Sequence, residues 1–352
     1  MRGTLAWVAS PVLPYPEATL GTVDRHGQVT PLPAPVRSYG AALRVSPDGR
    51  RLAVTVRTLT EVGFWVYDLE RRSLTLLNRD GEVFYPVWAP DGRHLVFCWL
   101  TDGRFSLATQ PADGTAPPRD LLTGDYVPSS FTPHGRRVAA VREMKDIVNV
   151  SLENGKASVQ SLIETPAREL FPEISPDGRW LAYVSGVAGR GDVYVRPYPG
   201  SGPAESASPD GGGWPAWHPR GRELFFVSRA DPTGARRMMA VEFAPGLPLR
   251  LGRPRPLFAF DPRAIFLLGD PVRSYDVALD GQRFYAVQYR MPRPAPPVTH
   301  INLIQNWVEE LKAKVPSGTR EAGPRIVSSH SARPPTGAPR PGRRGTGARI
   351  FA

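Results

Sequence analysis

The chain has 352 residues, of which 41% are hydrophobic and 22% are charged, so it can bury a sizeable core. It contains no uninterrupted apolar run of roughly 18 residues, the length of a membrane-spanning helix, and its first residues lack the apolar region of a signal peptide. As written, the chain is therefore expected to be soluble and cytoplasmic. The single cysteine, Cys98, excludes an internal disulfide framework, and its apolar neighbours predict a buried thiol.

The formal net charge of +11 is unevenly distributed. Residues 316–352 carry seven arginines and one glutamate, a net charge of +6, whereas residues 1–315 are only mildly basic. The basic segment is rich in proline, glycine and serine, so we predict that it is a disordered tail. Binding to an acidic surface and a non-native extension of the reading frame are the alternatives. Because so much of the charge lies in this tail, no nucleic-acid partner is expected.

Three short segments within the first forty residues have the composition of β-strands. They lie at 5–9, 19–23 and 28–32. Their order and spacing match the second, third and fourth strands of the repeat unit that follows, with Gly3 in the place of its turn glycine. On this interpretation the first unit lacks its innermost strand.

From residue 46 onward the chain repeats a short phrase that is typical of a tight turn. Its glycines lie at 49, 92, 135, 178 and 221, four consecutive steps of 43 residues, and a sixth copy at 281 follows after 60 residues. Proline presets the backbone angle φ, aspartate bonds the backbone of the turn, and glycine supplies the positive φ. The clearest turn residues are Pro47, Asp48, Gly49, Pro90, Asp91, Gly92, Pro176, Asp177 and Gly178.

Apolar residues flank every turn glycine, four positions before it and three positions after it, and they predict a strand on each side. A third strand follows each pair, for example at 64–69 and 192–197, and a weaker fourth segment comes next. Four antiparallel strands in a unit of this length predict one blade of an all-β propeller.

We predict seven blades within residues 1–315, with turn glycines at 3, 49, 92, 135, 178, 221 and 281 and an incomplete first blade; six blades is the alternative. Strands from both termini normally close such a ring, because an open ring leaves unpaired strand edges. Either the C-terminal segment fills the gap, or the chain is an N-terminally shortened piece of a longer protein. Residues 301–304 are predicted as a strand of the last blade and 306–314 as a short helix.

Four segments carry a resemblance to a known family: VDRHG at 23–27, FPEISPDGRWLAYVS at 171–185, DVYVRPYPG at 192–200 and NWVEELK at 306–312. They resemble TolB-like (WD40-like) propeller repeats, above all the propeller region that follows the kinase domain in bacterial membrane-anchored serine/threonine kinases. The resemblance implies a sensor or binding domain, which in such kinases lies in the periplasm or outside the cell. It implies no kinase activity, because the glycine-rich loop and the His-Arg-Asp and Asp-Phe-Gly motifs do not occur here.

No motif of a catalytic or metal site is found in the sequence. The Gly-x-Ser-x-Gly elbow of serine hydrolases and the His-Glu-x-x-His zinc signature do not occur, and the six histidines share no ligand spacing. The turn aspartates, such as Asp48 and Asp91, are interpreted as turn formers rather than as ligands of a cation. We therefore predict no metal, no cofactor and no enzymatic activity.

The best candidate for a binding surface is the position seven residues before each turn glycine, at the entry to the innermost strand of a blade. Three of its six residues, Tyr85, Phe171 and Trp214, are aromatic. Glu173 and Arg44, on the same inner strands, are the polar candidates. Packing between blades is the alternative role for each side chain. The other members of this column are Ala42, Pro128 and Ser274.

These observations favour a monomeric, non-catalytic module that binds a protein, a peptide or a small ligand at the mouth of the propeller channel. The alternative is a propeller hydrolase or lyase with its active site in the channel, because a fold alone does not decide a function. Three or more buried His, Asp, Glu or Arg side chains converging in the channel would favour the enzyme.

Overall fold

The computed structural model describes residues 4–7, 16–58, 62–153, 156–186, 191–200, 202–244, 249–290 and 302–305. All regular elements in these ranges are β-strands. The chain divides into two compact units, one made of residues 11–296 and the other of residues 1–10 and 297–352. The larger unit holds the repeat, and its sheets confirm the predicted all-β propeller of antiparallel blades.

Three strands come before the first continuous blade: β1 (Thr4–Trp7), β2 (Ala18–Asp24) and β3 (Val29–Pro31). Blade 1 consists of β4 (Tyr39–Val45), β5 (Arg51–Arg57), β6 (Val62–Asp68) and β7 (Ser73–Asn78). Blade 2 consists of β8 (Glu82–Trp88), β9 (His94–Thr101), β10 (Arg104–Pro111) and β11 (Arg119–Thr123). Blade 3 consists of β12 (Tyr126–Phe131), β13 (Arg137–Arg142), β14 (Asp146–Glu153) and β15 (Lys156–Ile163).

Blade 4 consists of β16 (Glu169–Ile174), β17 (Trp180–Ser185), β18 (Asp192–Pro197) and β19 (Glu205–Ser206). Blade 5 consists of β20 (Gly212–Trp217), β21 (Glu223–Ser228), β22 (Arg236–Ala244), β23 (Arg250–Leu251) and β24 (Arg255–Phe260). The remaining strands are β25 (Ile265–Phe266), β26 (Asp276–Val277), β27 (Arg283–Tyr289) and β28 (Asn302–Gln305).

Blade 6 is assembled from both ends of the propeller unit. The strands β25 and β26 pair with β27, and β27 pairs along its whole length with β2, which in turn pairs with β3. The described residues therefore form six blades, the alternative number, instead of seven. The predicted strands at 19–23 and 28–32 do occupy the third and fourth places of a blade, but the blade that they complete is the last one. This pairing removes the open edges that an incomplete first blade would leave.

Two segments that the sequence predicts as strands of the first and last blades form a sheet of their own. The strand β1 pairs antiparallel with β28, with Thr4 opposite Gln305, and the two form a separate sheet in the smaller unit. Neither strand belongs to a blade, which corrects the prediction for 5–9 and 301–304. Gly3, the helix predicted at 306–314 and the tail predicted at 316–352 lie outside the described residues.

The repeated turns connect the inner strand of each blade to its second strand. Gly49, Gly92 and Gly178 have φ of +73°, +63° and +73°, and their amides donate to the carbonyl three residues earlier. The carboxylates of Asp48 and Asp177 accept hydrogen bonds from the backbone amides two residues later, at 3.1 Å each. The turns thus use the backbone angle and the side-chain bond that proline, aspartate and glycine favour.

Aromatic side chains fill the spaces between neighbouring blades. Phe64 of blade 1 meets Phe97 of blade 2 edge to face at 5.2 Å, and Phe225 of blade 5 meets Phe284 of blade 6 at 5.0 Å. Such pairs add attraction beyond the burial of apolar area. Cys98 is 2% exposed, and burial raises the pKa of its thiol to about 12. Its side chain therefore lies in the core as a small apolar group.

Closure of the ring can be tested with a disulfide. Thr19 of β2 lies directly opposite Gln288 of β27, and directly opposed residues of antiparallel strands are within reach of a disulfide bond. We expect Thr19→Cys/Gln288→Cys to crosslink on mild oxidation, as detected by peptide mass mapping. The pair Thr19→Cys/Ser158→Cys, with the second cysteine in blade 3, should stay reduced. A free Thr19→Cys/Gln288→Cys pair in the folded protein would contradict the six-blade ring.

Candidate binding site at the channel mouth

The innermost strands of the six blades form the wall of the channel. Each of the strands β4, β8, β12, β16, β20 and β26 contacts the inner strand of the next blade, and β26 contacts β4 to complete the ring. We call the end at which these strands begin the channel mouth. Side chains that leave the strands near this end can converge on one ligand.

The aromatic residues Tyr85, Phe171 and Trp214 lie at bulges of their inner strands. The pairing register shifts around each of them, and their φ angles are +54°, +58° and +58°. Bulky residues rarely adopt a positive φ, and such strain tends to be found where a side chain is re-aimed for a function. The three blades thus share one unusual backbone conformation at the position that the sequence pattern singled out.

A segment of blade 6, residues 269–271, lies across the channel mouth and contacts all three aromatic residues. The indole Nε1 of Trp214 donates to the carbonyl of Gly269 at 2.6 Å, and the Tyr85 hydroxyl donates to the carbonyl of Asp270 at 2.9 Å. The backbone amide of Phe171 donates to the carbonyl of Pro271 at 3.1 Å. Three successive carbonyls of one segment, which bends at Asp270 and Pro271, are therefore bound by three different blades. We call residues 269–271 the mouth segment.

Neighbouring contacts fix the aromatic rings in this arrangement. The rings of Phe171 and Trp214 meet edge to face at 5.7 Å, and the guanidinium of Arg236 lies 5.1 Å from the centre of the Trp214 ring. The buried Tyr275 donates its hydroxyl hydrogen to the carbonyl of Trp214 at 2.8 Å. The exposed carboxylate of Asp270 lies 3.7 Å from Arg168. A ligand at the mouth would thus meet rigid rings rather than mobile side chains.

Four charged side chains are buried together next to the mouth segment: Arg44, Glu173, Arg273 and Asp276 are at most 9% exposed. We call them the buried charge cluster. Arg273 contacts the carboxylates of Glu173 and Asp276, the latter at 2.8 Å. Ser129 donates to Glu173 at 3.2 Å, and the amide of Val45 donates to Asp276 at 2.9 Å. The cluster holds two positive and two negative charges, so its formal charge is balanced.

Arg44 is the member of the cluster with the fewest charged contacts. It donates to the carbonyls of Leu43 and Arg273 at 2.8 and 2.9 Å, and no carboxylate of the described residues lies within salt-bridge distance of it. Burial, followed by the positive charge of Arg273, lowers the pKa of its guanidinium to about 9, and Asp276 opposes the shift. Its carbonyl accepts a bond of 3.0 Å from the Trp88 indole, which links blades 1 and 2.

The predicted candidate residues therefore fall into two groups. Tyr85, Phe171 and Trp214 lie together around the mouth segment, whereas Glu173 and Arg44 belong to the buried charge cluster. The mouth segment, Arg273 and Asp276 were not among the residues predicted from the sequence. The long step of 60 residues before Gly281 is the signal that could have indicated them.

The described residues contain no group of three His, Cys, Asp or Glu side chains that could hold a metal ion. The same part of the chain has no helix that is long and apolar enough to cross a membrane.

Solved structures with a similar fold are propellers. A putative TolB from Agrobacterium tumefaciens superposes with a TM-score of 0.61 at 20% sequence identity, over 78% of this chain and 98% of that one. TolB from Acinetobacter baumannii superposes with a TM-score of 0.51 at 13% identity, over 83% of this chain and 66% of that one. At such identities the likeness establishes a TolB-like propeller fold and nothing further. No protein-family model and no curated protein sequence matches the chain.

An oligogalacturonate lyase in complex with manganese is also among the similar structures, with a TM-score of 0.48 at 12% identity over 82% of this chain and 97% of that one. The fold leaves the choice between binding and catalysis to the residues of the channel.

Replacing one carboxylate of the buried charge cluster should destabilise the propeller. We expect Glu173→Gln to lower the free energy of unfolding by about 3–5 kcal/mol, because a buried ion pair that loses one partner leaves an uncompensated charge. Urea denaturation would measure this loss. Glu242→Gln, at an exposed position, is the control and should change the stability by less than about 0.5 kcal/mol. Equal stability of the two variants would show that the cluster contributes nothing to the fold.

Proposed function

We propose that the chain is a non-catalytic binding module that holds a peptide segment of a protein partner at the channel mouth. The observation that carries this proposal is the mouth segment itself. Its three successive carbonyls receive hydrogen bonds from Trp214, Tyr85 and Phe171. The channel mouth therefore presents three hydrogen-bond donors whose spacing matches successive carbonyls of a polypeptide backbone.

Backbone hydrogen bonds combined with aromatic side chains are a common way to bind a peptide. Here two of the donors belong to aromatic side chains, which supply contact area at a low cost in conformational entropy. We propose that the mouth segment is an internal occupant, which a partner peptide replaces. The exchange is feasible because each hydrogen bond of the segment contributes only about 0.5–1.5 kcal/mol.

We further propose that the module is the sensor part of a signalling protein such as a receptor-type serine/threonine kinase. The resemblance of the repeat to the propeller region of such kinases supports this proposal. The DNA upstream of the Met1 codon tests it: an in-frame kinase domain and membrane helix are expected. A stop codon followed by a separate ribosome-binding site would contradict it and would leave a free-standing propeller.

A channel enzyme is the second candidate, because the buried charge cluster meets the condition of three or more convergent charged groups. The contacts of its carboxylates argue for a structural role instead. Both carboxylates bind Arg273, and Asp276 also accepts hydrogen bonds from the amides of Val45 and Val277. Hydrolysis of a chromogenic ester or glycoside by the wild type, abolished in a folded Glu173→Gln variant, would establish the enzyme and overturn the binding proposal.

Displacing the mouth segment should increase the affinity for peptides. A Cβ atom at Gly269 would come within 2.2 Å of the Val272 carbonyl and 2.5 Å of the Ser274 hydroxyl, so Gly269→Val should dislodge the segment. We expect peptides selected from a random display library to bind Gly269→Val roughly tenfold more tightly than the wild type, because the internal competitor is removed. Fluorescence anisotropy of labelled peptides would measure both affinities.

A matched control is available at Gly200, where an added Cβ would meet no atom within 4 Å. Gly200→Val should bind the same peptides with wild-type affinity. Adding Tyr85→Phe and Trp214→Phe to Gly269→Val keeps an aromatic ring at each position but removes two donors, and it should weaken binding by roughly tenfold. If all these variants bind alike, the channel mouth is not the peptide site.

A further inference from the structure

A second concave surface lies at the other end of the propeller, between blades 5 and 6. It is a cleft of about 620 Å³ whose lining includes Arg25, His218, Arg222, Glu223 and Arg250. We call it the basic cleft. The turn between β20 and β21, the turn between β2 and β3 and the start of β23 supply these side chains. It is far along the strands from the channel mouth, so its role is separate from the proposed peptide site.

The half-buried carboxylate of Glu223 in the cleft is already neutralised. Its two oxygens both accept from the Nη2 atom of Arg25, at 2.7 and 2.8 Å, one of them also accepts from Arg255 at 2.6 Å, and the side chain is 13% exposed. Arg25 also lies 5.3 Å from the centre of the Phe225 ring, which fixes its orientation. Two guanidiniums thus bind the carboxylate of Glu223. This carboxylate therefore does not pair with the other arginines of the cleft.

The turn of blade 5 differs from the repeat, because it lacks the carboxylate that would pair with Arg222. In blade 4 the turn carries Asp177, whose carboxylate pairs with Arg179 at 3.0 Å. In blade 5 Arg220 takes the position of that aspartate. The Nδ1 atom of His218 instead accepts a hydrogen bond from the backbone amide of Arg220, at 3.0 Å. The turn therefore keeps its shape while it exchanges a negative charge for a positive one.

Arg222 and Arg250 are exposed, and their guanidinium groups have no hydrogen-bond or ion-pair partner among the residues that the structure describes. Burial lowers the pKa of the His218 imidazole; Glu223 opposes the shift, and the positive charges of Arg25, Arg220 and Arg222 add to it. Arg25, Arg222 and His218 line the same cleft, so the positive charges of these two guanidiniums lie on the same surface as the imidazole. One further carboxylate, Glu242, lies at the exposed edge of the cleft opposite Glu223.

We propose that the basic cleft binds a small soluble anion of the phosphate type, carrying two or more negative charges, with Arg222 and Arg250 as its principal ligands. Guanidinium groups donate paired hydrogen bonds to phosphate oxygens with matching geometry. Arg222 and Arg250 bring two positive charges to the lining of one cleft, so an anion with two or more negative charges is favoured over a chloride ion. The size of the cleft admits a pyrophosphate or a phosphate monoester of a small molecule.

Isothermal titration of the full chain with pyrophosphate at low ionic strength tests this proposal. We expect saturable binding, and we expect Arg222→Gln/Arg250→Gln to raise the dissociation constant by roughly tenfold or more. The matched control is Arg50→Gln/Arg93→Gln, which removes two exposed arginines, each directly after a turn glycine in blades 1 and 2. This control should change the dissociation constant by less than about twofold, because screening limits distant surface charges.

If both double variants weaken pyrophosphate binding equally, the proposal is overturned. Such a result would show that the overall positive charge, rather than the cleft, attracts the anion. Absence of saturable binding to the wild type would overturn it as well. Sedimentation with phosphatidate vesicles separates the two sources of a phosphate group. If the protein binds the vesicles but not pyrophosphate, the ligand is a lipid headgroup rather than a small soluble anion, which would contradict the proposal.

Discussion

The pairing of β2 with β27 is the constraint on which the rest of the structure depends. It joins the start of the propeller unit to its end, so each blade has two neighbours and each inner strand can contact the next. An open ring would expose two strand edges and the apolar faces of two blades. Closure also fixes blade 6 beside blades 1 and 5, and both candidate sites include residues of that last blade.

Both sites arise where the repeat is irregular. The sixth repeat has extra residues before its turn glycine, and part of this length forms the mouth segment across the aromatic residues of blades 2, 4 and 5. In blade 5 the turn loses its aspartate, and the basic cleft lies directly beside it. At the regular positions of the repeat, residues stabilise every blade in the same way. Residues that depart from the repeat pattern are therefore the ones that can serve binding instead of the fold.

The buried charge cluster shows how the channel tolerates ionised groups. Its charges are balanced, and backbone amides, hydroxyls and carbonyls complete most of the hydrogen bonds. The Nε atoms of Arg44 and Arg273 and the hydroxyl of Ser274 nevertheless have no partner among the described residues. Buried ion pairs contribute little net stability compared with apolar packing, but loss of one partner is costly. We infer that the cluster fixes the position of the mouth segment next to it.

The amino-acid sequence by itself determined the repeat, its strands, its turn chemistry and the aromatic column, because period, turn residues and apolar positions are local properties of the chain. It also indicated that Tyr85, Phe171 and Trp214 share one position. Only the tertiary structure decided the number of blades, since the pairing of β2 with β27 joins residues that are far apart in the chain. The same holds for the contacts of the mouth segment with blades 2, 4 and 5, for the charge cluster and for the basic cleft, because their residues come from different blades and meet only when the ring closes.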